Sequence, residues 1–224
     1  MTIYVINPNS SQVVTDGIDR AMEPLRSASP APIAAIQLDE GPKGIETQAH
    51  VDCVVAPLLV RAAAIEDTAS AFVIACFSDP GLAALREQSR RPVLGIAESA
   101  ILTAMTLGQR FGILSILWKS VPRHMRMLGA MGVKDRLAAD LPLELGVADL
   151  TDRNRTFARL RDVGTTLRDM HGAEVLILGC AGMTSYRADL SEALGCPVVE
   201  PCEAAAAMAI GRVALARAYL PLKG

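Results

Sequence analysis

Two short stretches of this chain answer each other across 104 residues. Ala-Phe-Val-Ile-Ala-Cys at 71–76 aligns with Val-Leu-Ile-Leu-Gly-Cys at 175–180. Behind each cysteine the pattern stays in step. Pro92 follows Cys76 by 16 residues and Pro197 follows Cys180 by 17, and a glutamate, Glu98 or Glu203, comes six residues after each proline. Ahead of them, Asn7 precedes Cys76 by 69 residues and Ser115 precedes Cys180 by 65. Any chain of alternating strands and helices gives strands at similar intervals. A cysteine at the same strand end, with proline and glutamate in step behind it, favours an internal duplication.

Short apolar runs ended by turn residues alternate with helical patterns from one end to the other. Strands are expected at 3–7, 71–76, 92–96, 111–116, 141–145, 174–179 and 197–199. Helices are expected at 15–25, 46–69, 80–88, 98–107, 119–131, 153–171, 184–194 and 203–219. This order implies an α/β fold of two pseudo-symmetric lobes, each a mostly parallel sheet flanked by helices, with the active-site cleft between them. The lobes are placed at 1–98 and 99–203, with the helix from about 204 to 224 packing back on the first. A chain of 224 residues is long for one small domain and short for two independent ones, and paired half-domains account for that length.

Composition removes several classes of function. A net charge of −2 gives no clustered basic excess for a nucleic acid, and 4% aromatics leave no stacking platform. A hydrophobic share of 51% is too high for disorder. The uncharged apolar runs, such as 53–60, are far shorter than the ~20 residues of a membrane span. The first nine residues read as a strand, not a signal peptide. A cytoplasmic protein with a small-molecule substrate, no membrane or nucleic-acid partner and homo-oligomeric assembly is expected. Five cysteines without CxxC spacing argue against a disulfide scaffold or a zinc site, so reduced thiols are expected. His50, His124 and His171 fall in helical stretches without HxxxH or HxH pairing, and read as solvated or packing residues, not metal ligands.

Ligands in open α/β sheets bind beyond the carboxyl ends of the strands, where Cys76 and Cys180 both lie. Asp79 is expected to cap the helix that follows Cys76, with Pro80 its first residue, and Thr184 or Ser185 the helix that follows Cys180. A nearby helix N-terminus should lower each thiol's pKa, and small residues at Ser78, Ala181 and Gly182 let backbone N–H groups approach a substrate oxygen. Two equivalent thiols on facing half-domains suit a two-base stereoinversion: one thiolate takes a proton from one face of a carbon and one thiol returns a proton to the other. Cys53, Cys196 and Cys202 read as bystanders. The Asn7–Ser11 turn could hold carbonyl or amide groups through Asn9, or simply cap the first helix. The segment 41–46 reads as a turn delivering a helix, with a lid as the alternative. Arg110 and Lys119 read as solvated, with Lys119 facing the cleft as the alternative, and the 86–91 charge cluster reads as an exposed helix end.

Ile-Asn-Pro-Asn-Ser-Ser (6–11), Gly-Pro-x-x-Ile-Glu (41–46), Ala-Cys-Phe-Ser-Asp-Pro-Gly-Leu (75–82), Pro-Val-Leu-Gly-Ile-Ala-Glu (92–98) and Leu-Gly-Cys-Ala-Gly-Met (178–183) occur in that order. With them the chain resembles the aspartate/glutamate/hydantoin racemase superfamily, most nearly its hydantoin and allantoin racemase branch. That resemblance implies a cofactor-independent racemase with Cys76 and Cys180 as the acid/base pair. Asn9, Ser78, Asp79, Ser115, Ala181, Gly182 and Met183 are the expected substrate contacts. The substrate it implies is a 5-substituted hydantoin or a related cyclic ureide such as allantoin. Two departures bear on the substrate: Ser78 replaces a usual glycine, and Ser115-Ile116 replaces a usual pair of threonines. Decarboxylation of disubstituted malonates, cis–trans isomerisation of maleate and non-catalytic ligand binding are the competing readings.

Overall fold

Parallel strands covered on both faces carry unbroken apolar sequence, and here Phe111–Ser115 and Val175–Leu178 are buried at every position. The computed structural model describes residues 1–219. In chain order the elements are β1 (Thr2–Asn7), α1 (Gln12–Ala21), α2 (Glu23–Arg26), β2 (Ile33–Gln37), α3 (Gln48–Cys53), α4 (Val55–Ile65), β3 (Ala69–Ile74), α5 (Leu82–Gln88), β4 (Val93–Gly95), α6 (Ile96–Leu107), β5 (Phe111–Ser115), α7 (Val121–Met131), β6 (Leu137–Pro142), α8 (Arg153–Asp169), β7 (Val175–Leu178), α9 (Arg187–Leu194), β8 (Val198–Val199) and α10 (Pro201–Tyr219). Short 3-10 turns precede α7 (Trp118–Ser120) and α9 (Ala181–Tyr186).

The strands form two four-stranded sheets, ordered β2-β1-β3-β4 and β6-β5-β7-β8. Every pairing is parallel. Each strand of the first sheet therefore has its counterpart four strands later. In both sheets the strand order reverses between the two inner strands, and at that point the carboxyl ends splay into a crevice. Asn7 ends β1, and Cys76 lies two residues past β3. Ser115 ends β5, and Cys180 lies two residues past β7.

The two halves share their cores. Ile3, Val5, Ala71 and Val73 of the first sheet pack with Ala205, Ala206 and Ala209 of α10, although α10 leaves the last strand of the second sheet. Conversely, Ala97, Ala100 and Ala104 of α6, which leaves the first sheet, pack with Phe111, Ile113, Val175 and Ile177 of the second. The alanines let α6 and α10 lie close to each other and to the strands. Of the segment expected to pack back on the first lobe, 220–224 lie outside the described residues.

Several elements differ from the sequence reading. β2 is an additional strand: Ile33-Ala-Ala-Ile-Gln is a half-exposed edge strand, and its two alanines carry little strand propensity. The expected helix at 15–25 starts earlier, at Gln12, where the Ser11 side chain accepts from the Val14 amide, and it breaks at Met22 before Pro24. The expected helix at 46–69 breaks at Val54 into α3 and α4. The sixth strand lies at Leu137–Pro142, not 141–145. Taken together, Gln48–Thr68 is long and apolar enough to cross a membrane by length and composition, which the count of uncharged runs missed. It carries Asp52, Arg61, Glu66 and Asp67, and its Leu58 and Ala62 are buried against Phe72 and Ile74 of the first sheet.

Candidate active site

The same local geometry follows both cysteines. The Cys76 carbonyl accepts from the Asp79 amide at 2.9 Å, and the Cys180 carbonyl from the Met183 amide at 3.1 Å. Each tight turn brings the amide two residues on back toward the sulfur. Gly182 N–H donates to Cys180 Sγ at 3.4 Å, and the Ser78 backbone amide favours the Cys76 thiolate. Both thiols border one cavity of about 30 Å³ between the sheets, together with Asn9, Ser78, Ala181 and Gly182.

Three other expected contacts lie elsewhere. Asp79 does not cap its own helix: α5 begins at Leu82 with Gly81 at the cap position. Asp79 sits at φ 44° and turns its carboxylate to the start of α6, accepting from Ala97 N at 3.0 Å and Glu98 N at 2.9 Å. Burial pushes this carboxyl up to about 7 against those two bonds. Met183 is fully buried in the second core. Ser115 is fully buried too, bonded to His124 and Asp140. Neither Thr184 nor Ser185 caps a helix after Cys180; Cys180 itself caps the 3-10 turn, and Tyr186 precedes α9.

Asn7 builds the floor of the first half. Its amide donates to Asn9 Oδ1 and Thr15 Oγ1, both at 3.0 Å, and its oxygen accepts from Asn9 N at 3.2 Å. Asn9 Oδ1 also takes the Ser11 amide at 2.9 Å. With its oxygen committed, Asn9 keeps its two Nδ2 hydrogens for the cavity.

Sequence reasoning missed two cavity residues on the first turns of α7. Arg123 is only 9% exposed. Its guanidinium donates to Ser78 Oγ at 3.4 Å, Lys119 O at 2.8 Å, Ser120 Oγ at 3.2 Å and Glu46 O at 3.4 Å. Four of its five N–H donors are thus used within the protein. The neighbouring His124 is buried and borders the same cavity, where it was read as solvated or packing. A helical pattern shows which face a residue occupies, not which strand end that face meets, so nothing in the His spacing marked it. Lys119 and Arg110 are exposed, and Arg86 of the charged cluster pairs with Glu98 at 2.5 Å.

The electrostatics overturn one expectation. Although part of each side chain borders the cavity, burial pushes both thiols up. At Cys76 the second thiol and Asp79 add to this, while the Ser78 amide and Arg123 pull the other way. At Cys180 the Gly182 amide opposes burial, and Glu46 and Glu200 reinforce it. Turn amides and one guanidinium do not offset the loss of solvent around a thiolate. Glu200, buried at the start of α10 and accepting from Cys202 N and Glu203 N, is itself raised to about 7 by burial. Of the other cysteines, Cys53 is exposed, Cys196 half-buried and Cys202 buried.

The segment 41–46 reaches across the cavity. Glu46 Oε1 accepts from Val147 N at 2.8 Å, and a Cβ on Gly44 would stand 2.7 Å from Val147 Cβ. A groove of about 540 Å³ between α1 and the 3-10 turn after Cys180 shares Val14, Val147, Ala181 and Gly182 with the cavity. The inner cavity is far below the ~300–1,000 Å³ of ligand pockets, so a ring-sized ligand requires the residues around it to yield.

The chain matches the family model described as Asp/Glu/Hydantoin racemase over residues 3–209. It is 38% identical over 219 residues to the hydantoin racemase of Paenarthrobacter aurescens, covering 96% of this chain and 92% of that protein. A hydantoin racemase of Pseudomonas sp. (strain NS671) is 33% identical, over 89% of this chain and 81% of its own length. The solved allantoin racemase of Klebsiella pneumoniae superposes with a TM-score of 0.91 at 30% identity, covering 96% of this chain and 88% of that one. The chain belongs to the Asp/Glu/hydantoin racemase family.

Proposed function

We propose that this protein racemises 5-substituted hydantoins or a related cyclic ureide such as allantoin, without a cofactor, by proton transfer between Cys76 and Cys180. The observation that carries this reading is the pair of thiols at matching strand ends, each followed by the same tight turn and both bordering one cavity. Similarity to hydantoin and allantoin racemases over nearly the whole chain supports the substrate class.

In this reading the ring lies between the two sulfurs. The carbon that bears the substituent is acidic because a carbonyl adjoins it. One thiolate removes its proton from one face, the electron pair moves onto the carbonyl oxygen, and the opposite thiol delivers its own proton to the other face. Each turnover exchanges the roles of the sulfurs and leaves the total number of protons unchanged. Burial favours this chemistry, because a thiolate held away from water is a stronger base toward carbon. The Asn9 amide hydrogens and the one Arg123 N–H not used within the protein are the donors available to the developing enolate.

The test is incubation of an enantiopure 5-substituted hydantoin in D₂O, following optical rotation and deuteration at the ring carbon. Loss of rotation with deuterium uptake and no carbon dioxide release is expected. Absence of exchange across a panel of hydantoins and allantoin would refute the assignment, and carbon dioxide release from a disubstituted malonate would redirect it to decarboxylation.

A further inference from the structure

We propose that His124 is a substrate-binding residue, presenting Nε2 to a ring N–H of the ureide, and that Asp140 and Ser115 are the positioning residues that aim it. This inference rests on the ureide reading above and names the group that would read the ring's N–H edge.

The three side chains come from separate elements. Ser115 ends β5, Asp140 lies in β6 and His124 is on the first turn of α7. Asp140 Oδ2 is 2.7 Å from His124 Nδ1, Asp140 Oδ1 accepts from the Ser115 hydroxyl, and Ser115 Oγ is 3.1 Å from the same ring nitrogen. The side chains of His124 and Asp140 are 2% and 1% exposed. A carboxylate can only accept, so the proton between Nδ1 and Asp140 belongs to Nδ1, and in the neutral imidazole Nε2 is then the acceptor. The Phe77 ring stands edge-on to the imidazole, at 85° and 5.1 Å, and fixes its plane.

Nε2 is then the remaining polar atom of the group. Among the described residues it has no hydrogen-bond partner, yet it is not among the sealed, unsatisfied buried atoms. His124 borders the cavity that holds both sulfurs, next to Ser78 and Arg123, and also a second pocket shared with Gln48, Arg126 and Met127. A buried His–Asp–Ser cluster is a poor stabiliser compared with apolar packing of the same volume, but it is an effective way to hold an imidazole in one orientation. A cyclic ureide alternates N–H and C=O along its ring. An acceptor at Nε2 beside the donors of Asn9 and Arg123 matches that alternation.

The probe is unsubstituted hydantoin, which is achiral and small, with its 1-methyl and 3-methyl derivatives. For the wild-type protein, calorimetry should show one of the methylated forms binding roughly 5- to 10-fold more weakly than the parent, because its methyl group replaces the N–H. His124→Ala and His124→Asn should lose that discrimination and weaken parent binding by a similar factor. His124→Gln, whose amide reaches the Nε2 position, should restore most of both. Urea midpoints identify any variant that does not fold, and the wild-type methyl series stands without the variants. Equal binding of all three rings by the wild-type protein overturns the proposal. So does full restoration by Asn with failure of Gln, because Asn mimics Nδ1 and would mark a purely structural bond to Asp140. If the wild-type protein neither binds hydantoin nor exchanges its ring hydrogens, the ureide reading itself fails, and this inference with it.

Discussion

Raising the pH from 7 to 10 should increase kcat/KM close to tenfold per unit, a total of about a thousandfold. The proposed two-base cycle runs only in the form with one thiolate and one thiol. Burial pushes Cys180 up to about 11 and Cys76 to about 12, so that form is scarce at neutral pH. At pH 8 roughly one site in a thousand carries the charge, and its share grows tenfold with each unit until the lower titration of the pair is reached. The sign is fixed by the direction of the shift: a raised pKa favours the protonated thiol, so activity is gained as the pH climbs. It falls again only when the second thiol also ionises. Initial rates of ring deuteration, with an enzyme-free blank subtracted at every pH, measure this directly. Arg123→Gln removes a positive charge that favours the Cys76 thiolate and should leave the rise in place while moving the later fall to still higher pH. An unperturbed thiol titrates near 8.5. A plateau below that pH would refute the reasoning, and would mean that turn amides and guanidinium outweigh burial.

Cys76→Ser and Cys180→Ser should each lower racemisation by ~10²- to 10⁴-fold. One-sided deuterium exchange should survive from opposite enantiomers, while the exposed Cys53 tolerates serine with unchanged rates. Gly44→Ala puts a Cβ within 2.7 Å of Val147 Cβ. It should raise KM several-fold in steady-state kinetics while shifting urea stability by no more than ~1–3 kcal/mol; an unchanged KM would mean the strap does not close over the substrate. Phe111→Ala, at a position only 1% exposed, should cost ~3–5 kcal/mol in urea unfolding and keep a single transition, because that ring packs with α6 from the other half.

The doubled architecture was legible because parallel strands buried on both faces write long apolar runs, and because Cys76 and Cys180 end equivalent ones. The edge strands were harder. Ile33–Gln37 is half-exposed and alanine-rich, and Leu137–Pro142 carries a buried aspartate, so neither shows the pattern of a central strand. In the cavity, residues on the cysteine turns followed from chain position alone, as Ser78, Ala181 and Gly182 illustrate. Arg123 and His124 did not, since they reach it only from α7, with Asp140 of β6 behind the imidazole. Asp79, in the turn after Cys76, and Ser115, at the end of β5, have partners within the protein that chain position does not reveal. A carboxylate beside a cysteine can face a ligand or reach a helix 18 residues on, and local sequence does not distinguish the two.

The exchange of α6 and α10 also bears on how the chain acquires its shape during synthesis. The face of the first sheet formed by Ile3, Val5, Ala71 and Val73 is completed by α10, the last described helix to emerge from the ribosome. Until then that face stays open, while α6 has already emerged with no second sheet to cover. The nascent first half is therefore a sticky, unfinished object, and the chain closes into its folded state late and all together. Cut between α6 and β5, the two pieces would each carry the helix the other lacks, so they should find one another by trading helices.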